Sequence, residues 1–187
     1  MHFTTNTKAQ GHGDAPQWHA LYTRHHHEKP IARMLFSKGH EVFLPMYAAS
    51  RRWQDRIKHL SLPLFPCYVF IRGGLDRQLQ IMSTPGVFSL VGWAGHPAAI
   101  PENQIEGLRQ MADSSMRIQP HAYLACGDRV RIKSGTLQGL EGILVRKKNV
   151  SRLVVSLEML GRSAAVEIDA SCLETLDRTP DGMSEPI

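Results

Sequence analysis

Apolar positions along the first hundred or so residues change period several times, and each change marks an element. Trp18-His19-Ala20-Leu21-Tyr22-Thr23 alternates enough to predict a strand. Residues 28–38 put Ile31, Met34 and Leu35 on one helical stripe, with Pro30 in the first turn and Gly39 just past the end. Residues 41–47, rich in Val42, Phe43, Leu44 and Tyr47, predict a second strand. In Leu62-Pro63-Leu64-Phe65-Pro66-Cys67-Tyr68-Val69-Phe70-Ile71 the prolines bar a helix, so residues 67–71 predict a third strand. Cys67, Val69 and Ile71 then face one way and Tyr68 and Phe70 the other. A strand apolar on both faces is either doubly buried or turns one face to a partner. Residues 75–82 predict a short helix ended by Pro85-Gly86, residues 87–93 a further strand, and residues 94–97 a turn. A last helix follows Pro101, with Ile105, Leu108 and Met111 on one face. Residues 48–60 are polar and read either as a long hairpin or as a loop.

This order predicts an α+β fold: a two-layer sandwich with helices on one face of a mostly antiparallel sheet. Residues 114–123, with Ser114-Ser115 and Pro120, read as a linker. Beyond it, residues 128–133, 137–146, 152–157 and 163–168 are short strands with glycine-marked turns, the pattern of a small β-barrel. Residues 151–160 also read as helix. The expected organisation is a disordered tail over 1–16, a sandwich domain over 17–113, the linker over 114–123, a barrel over 124–176 and a flexible tail over 177–187.

Composition narrows the classes. The chain has 187 residues and a formal net charge of +5. The excess is uneven: residues 1–120 carry 13 Lys and Arg against 8 Asp and Glu, and residues 121–187 carry 9 of each. A basic first half points either to a polyanionic partner or to a solvated surface. No stretch approaches the ~18–20 apolar residues of a membrane span, and the polar start is not a secretory signal. Cys67, Cys126 and Cys172 form no Cys-x-x-Cys pair, which favours small buried residues in a reducing cytoplasm over disulfides or zinc. No nucleophile elbow, phosphate loop or His-Glu-x-x-His is present, so no catalytic residue is expected. No metal or cofactor is expected either, because His25, His26 and His27 are consecutive and such positions rarely converge on one ion.

Three segments carry a resemblance. The first is Trp18-His19-Ala20-Leu21-Tyr22-Thr23-Arg24 followed by His27-Glu28-Lys29. The second is Leu64-Phe65-Pro66-Cys67-Tyr68-Val69-Phe70 followed by Thr84-Pro85-Gly86-Val87. The third is Gly127-Asp128-Arg129-Val130-Arg131-Ile132, Gly135 to Gly142, and Gly161-Arg162-Ser163-Ala164-Ala165-Val166-Glu167. In this order and spacing they resemble the NusG family of transcription elongation factors, with an N-terminal NGN domain and a C-terminal KOW barrel. The basic segment 50–60 and the stretch 22–29 look closer to specialised paralogues of the RfaH or polysaccharide-operon type than to the housekeeping factor. Two departures stand out: Cys67 replaces a glycine usual in the family strand, and Ala165 a proline usual in the barrel.

The resemblance implies roles. An apolar sheet face of Tyr68, Phe70 and Trp93, with Ala20 and Ile105 nearby and Phe65 in support, would bind the clamp helices of RNA polymerase, since aromatics bury large area at low entropic cost. Arg24, His25, His26 and Lys29, at the turn from first strand to first helix, would contact non-template or upstream DNA, with His27 structural. Arg51, Arg52, Arg56 and Lys58, with Trp53 between them, form a second nucleic-acid-facing candidate against an even prospect of a solvated loop. Arg146-Lys147-Lys148 reads as a solvated turn.

The expected protein is therefore a monomeric cytoplasmic elongation or antitermination factor without chemistry of its own. It suppresses pausing, and its KOW domain recruits a small-subunit ribosomal protein or the Rho terminator. The alternative is a KOW-type RNA-binding or ribosome-associated module without polymerase contact, for which Tyr68 and Phe70 would be buried. A histidine-based metalloprotein is a third and weaker option.

Overall fold

The computed structural model describes residues 2–3, 16–53, 56–73, 75–93, 96–114, 116–122, 127–147, 150–157 and 160–178. The chain divides into two compact units, Met1–Ala112 and Asp113–Ile187.

The first unit is built on β1 (His2–Phe3), β2 (Trp18–Thr23), β3 (Glu41–Phe43), β6 (Tyr68–Arg72) and β7 (Val87–Leu90). They form an antiparallel sheet in the order β1-β3-β6-β2-β7. Its helices are α1 (Glu28–Ser37), α2 (Gln78–Met82, preceded by one 3-10 turn) and α3 (Glu102–Asp113). The long hairpin β4 (Met46–Trp53) and β5 (Arg56–Pro63) stands between β3 and β6, and β8 (Gly92–Trp93) pairs with β9 (His96–Pro97).

Alternation in β2 and β6 produces two apolar faces. The register sets Leu21 opposite Val69 and His19 opposite Ile71 on one face, and Ala20 opposite Phe70 and Tyr22 opposite Tyr68 on the other. Leu21, Val42, Val69 and Ile71 pack with Ile31, Ala32 and Leu35 of α1 and Ile81 of α2. The helix stripe read from sequence is thus the buried one. Gly39 follows α1 at φ 84, a left-handed conformation that glycine adopts without a Cβ penalty.

The α+β class holds, but the helices do not share one face. α3 lies on the opposite side from α1 and α2. Trp18 Nε1 donates to Glu102 Oε1 at 3.3 Å. The Arg109 guanidinium sits 4.8 Å over the Trp18 ring and 5.6 Å over Phe43, and pairs with Glu41 at 3.0 Å. Phe43 in turn packs on Phe70, and Phe70 edge-on against Phe65. A sheet apolar on both faces needs cover on both, and the stripe of Ile105, Leu108 and Met111 is fully buried.

Boundaries differ from expectation: the strand expected over 87–93 splits into β7 and β8, and β9 falls within the expected turn 94–97. His2–Phe3 pairs with Val42 and Phe43 as an edge strand instead of belonging to a disordered tail; residues 4–15 of that tail lie outside the described residues. A strand of two residues leaves no periodicity to read. The strand expected from residue 67 starts at Tyr68, because Cys67 has φ 70 and Tyr68 N–H closes a turn onto Phe65 O at 3.2 Å. Residues 41–47 split at Pro45, which Leu64 N–H caps at 2.9 Å.

The second unit is a six-stranded antiparallel sheet in the order β10-β14-β13-β12-β11-β15. Its strands are β10 (Ile118–Ala122), β11 (Asp128–Ile132), β12 (Glu141–Lys147), β13 (Val150–Leu157), β14 (Arg162–Ile168) and β15 (Leu173–Arg178). Ile118, Val130, Leu153, Val155, Ala164 and Val166 are buried in it. Arg131 pairs with Glu141 and Glu174, and Arg152 with Glu167. Residues 150–157 form a strand, which settles the helical alternative for that stretch. The expected linker is half strand: residues 118–122 pair with β14. Pro120 disguised it, but β10 is an edge strand, where a missing N–H is tolerated. The expected C-terminal tail likewise begins inside β15, where Asp177 and Arg178 pair with Arg129 and Asp128.

Candidate functional site

The expected aromatic face divides along its length. Phe70 is 0% exposed, and Phe65, Ala20 and Ile105 are buried with it. These four do not present a docking surface. α3 and the Trp18–Phe43–Phe70 stack occupy that half of the sheet, so their burial is structural. Tyr68 is half-buried and remains accessible. Trp93 is 87% exposed on the separate β8–β9 hairpin.

Where α3 does not reach, a strip of aromatics stands open. Tyr22 and Phe88 are 42% and 57% exposed. The Tyr22 ring lies 5.8 Å from Tyr68 and 5.8 Å from Phe88. β7 carries an irregularity opposite Tyr22/Thr23, with Tyr22 against Ser89 and Thr23 against Val87. Val87 is thereby committed to the core while Phe88 turns outward. Sequence reasoning missed Tyr22 and Phe88. The alternation of β2 gave the signal for Tyr22, which shares a face with Ala20; nothing local separates Phe88 from a core phenylalanine.

The strip ends at the corner between β2 and α1. Thr23 N–H donates to Cys67 O and Arg24 N–H to Gly86 O, both at 2.8 Å. Arg24, His25, His26 and His27 follow, all exposed. Glu28 opens α1 with its side chain buried; its Oε1 accepts Cys67 N–H at 2.8 Å and His26 N–H at 3.3 Å. The corner is thus tied to the turn before β6 by one carboxylate. His25 stacks on His26 at 3.8 Å. Its Nδ1 lies 3.4 Å from Cys67 Sγ and 3.9 Å from Glu28 Oε1. His25, Glu28 and Cys67, a trio the sequence reading did not single out, bring ligand-type atoms within 4.8 Å of one another. Consecutive histidines do not converge, but one of them meets a cysteine 42 positions away.

Lys29 is committed elsewhere, its Nζ donating to Ser61 O at 2.8 Å and tying α1 to the β4–β5 hairpin. That hairpin is what residues 48–60 form. Its register sets Arg51 opposite Lys58 and Trp53 opposite Arg56, so these four occupy one set of alternating positions, with Arg52 in the other. Lys58 is exposed; the side chains of Arg51, Arg52 and Arg56 lie outside the described residues.

The family described as "Transcription termination factor nusG" matches residues 16–109. The chain belongs to the NusG family. Relatives carry the likeness over most of the length. The transcription termination/antitermination protein NusG of Rickettsia bellii is 20% identical over 167 residues, covering 83% of this chain and 87% of its own. That of Lactococcus lactis is 24% identical over 174 residues, covering 85% and 92%. A solved structure described as "Domain interaction in Thermotoga maritima NusG" superposes with a TM-score of 0.52 at 18% identity, covering 86% of this chain and 97% of that one. This last likeness concerns the fold, a mixed α+β unit followed by a β-rich one. The chain is a NusG-like transcription termination/antitermination factor, and the NusG family is not catalytic. The matched residues contain the aromatic strip, the corner and the hairpin. Among the described residues no helix is long and apolar enough to cross a membrane.

Proposed function

We propose that the chain docks on the clamp helices of RNA polymerase through the open strip of Tyr22, Tyr68 and Phe88, and in that position suppresses pausing. The observation that carries this reading is the strip itself. The Tyr22 ring contacts both Tyr68 and Phe88 and the strip stays open to solvent, whereas Trp18, Phe43 and Phe70 on the same face are buried. A cluster of exposed aromatics rimmed by polar residues is the usual mark of a protein interface. An amphipathic helical hairpin offers the apolar stripe such a surface takes. Trp93, on its own hairpin, extends the candidate contact.

The basic corner then serves DNA. Arg24, His25 and His26 are exposed directly beside Tyr22, and Arg supplies phosphate affinity while imidazole stacks on bases. The hairpin supports the same role. Its register sets Arg51 opposite Lys58 and Trp53 opposite Arg56, which gathers basic positions and an aromatic on one strand pair. The second unit tethers a partner, a small-subunit ribosomal protein or Rho. Holding both polymerase and DNA biases the enzyme away from paused states by differential binding. Phe70 is buried as the polymerase-independent RNA-module reading requires; Tyr22, Phe88 and Tyr68 favour docking instead.

The test is capture of core RNA polymerase by the full chain. Tyr22→Ala with Phe88→Ala is expected to weaken binding at least about tenfold, the effect of losing two interface aromatics, with circular dichroism unchanged. Retained binding by the folded double variant would sink the docking reading. Absence of wild-type binding, where another NusG binds, would move the RNA module forward.

A further inference from the structure

We propose that His25, Glu28 and Cys67 form a binding site for a zinc-class divalent cation at the corner between β2 and α1. This does not depend on polymerase docking. A tetrahedral zinc with sulfur at ~2.3 Å and nitrogen or oxygen at ~2.0–2.2 Å holds its ligand atoms roughly 3.3–3.7 Å apart. His25 Nδ1 lies 3.4 Å from Cys67 Sγ and 3.9 Å from Glu28 Oε1. All three ligand atoms fall within 4.8 Å of one another. The two printed separations are near that spacing, and closing the whole set to it takes side-chain shifts of up to about 1 Å.

The donor types choose the metal. One imidazole, one thiol and one carboxylate suit a borderline-soft ion, whereas magnesium and calcium take oxygen. Three protein ligands leave a fourth position to solvent.

The site is also braced. Glu28 is 2% exposed. Its Oε1 is fixed by the N–H groups of Cys67 and His26, the kind of outer hydrogen bonding that orients a metal ligand. Both of those residues are non-glycine at positive φ, Cys67 at 70 and His26 at 62. Left-handed backbone is unfavourable for an L-residue, so it persists only where the surroundings determine it. A glycine would relieve that cost at residue 67. A cysteine there accepts the cost and adds a thiol facing an imidazole. The ion would staple the corner to the turn before β6. Thr23 and Cys67, already joined by a 2.8 Å backbone bond, each adjoin an aromatic of the open strip, Tyr22 and Tyr68.

The probe is cobalt(II) followed by zinc(II), added to the full tag-free chain in which Cys126 and Cys172 are replaced by Ser. One equivalent of cobalt with a thiolate-to-cobalt charge-transfer absorption, displaced by zinc, is expected. Cys67→Gly, compatible with the left-handed backbone, should abolish that band and weaken zinc binding more than about 100-fold, beyond what outer-sphere changes cost. His25→Ala, at an exposed position, should do the same with circular dichroism unchanged. Cobalt bound without the thiolate band, a band surviving Cys67→Gly, or no binding at micromolar zinc would each overturn the assignment.

Discussion

Two halves of one sheet face, made by the same pair of strands, meet opposite fates. At one end Trp18, Ala20 and Phe70 are sealed under α3 and the Phe43 and Phe65 rings. At the other end, two to four residues along, Tyr22 touches both Tyr68 and Phe88; Tyr22 and Phe88 are exposed and Tyr68 is half-buried. The strands present the same alternation to both halves, so the difference is not written in β2 or β6. It is set by how far α3 extends and by where Glu102 and Arg109 anchor it. An apolar residue on this face is buried or exposed according to the reach of a helix about 80 positions away.

The sharpest way to test that contrast is to truncate one ring from each half. Phe70→Ala should cost about 3–5 kcal/mol of unfolding free energy, the range for emptying a buried aromatic site, read by urea denaturation. Tyr22→Ala and Phe88→Ala should each stay within about 1 kcal/mol, as exposed substitutions do, while lowering polymerase capture. Equal stability losses at Tyr22 and Phe70 would show that the strip is core and erase the distinction.

Glu28 comes next in size. It is the single acceptor for two backbone donors at the edge of the open half, Cys67 and His26 N–H. Glu28→Ala leaves both donors without that partner. The expected loss is about 1–3 kcal/mol, together with faster amide exchange at Cys67. An unchanged exchange rate there would mean that the corner is held by its backbone bonds alone.

How much of this was readable beforehand follows from the range of the forces involved. β2, α1 and α3 were legible because their apolar positions repeat at the strand or helix period, and burial of Leu21, Ile31, Leu35, Ile105 and Leu108 follows that pattern. Phe70 and Tyr68 were not separable, since they share a face and only α3 tells them apart. β10 hid behind Pro120, and β1 behind its two-residue length. The His25–Cys67 approach depends on a register between segments 42 residues apart. The one local clue was a cysteine in a position the resemblance gives to glycine.

That clue yields a smaller prediction. Cys67→Gly removes the left-handed penalty at φ 70 and returns part of it as extra entropy in the unfolded chain. In metal-free buffer the net gain should be about 0.5–1 kcal/mol, seen as a raised unfolding midpoint. In saturating zinc the sign should reverse, because the ion stabilises only the chain that can bind it. A variant more stable than wild type in both buffers would leave the thiol with no part in the corner's stability.

The smallest effect belongs to His40, a buried residue between α1 and β3. Its imidazole is buried and Nε2 has no hydrogen-bond partner among the described residues. Burial first, and then the charges of Arg77 and Lys38, hold its pKa below the usual 6.5, against a weaker pull from Asp76. An imidazole whose folded pKa lies below its unfolded value takes up a proton on unfolding. Its contribution is therefore complete above pH 6.5 and is lost as pH falls through that value toward the folded pKa. One group can give a slope of at most about 1.4 kcal/mol per pH unit. Urea midpoints measured downward from pH 7.5 should fall in this window, and His40→Phe should flatten the fall. An equal slope in that variant would show that the buried imidazole of His40 is not the source of the acid sensitivity.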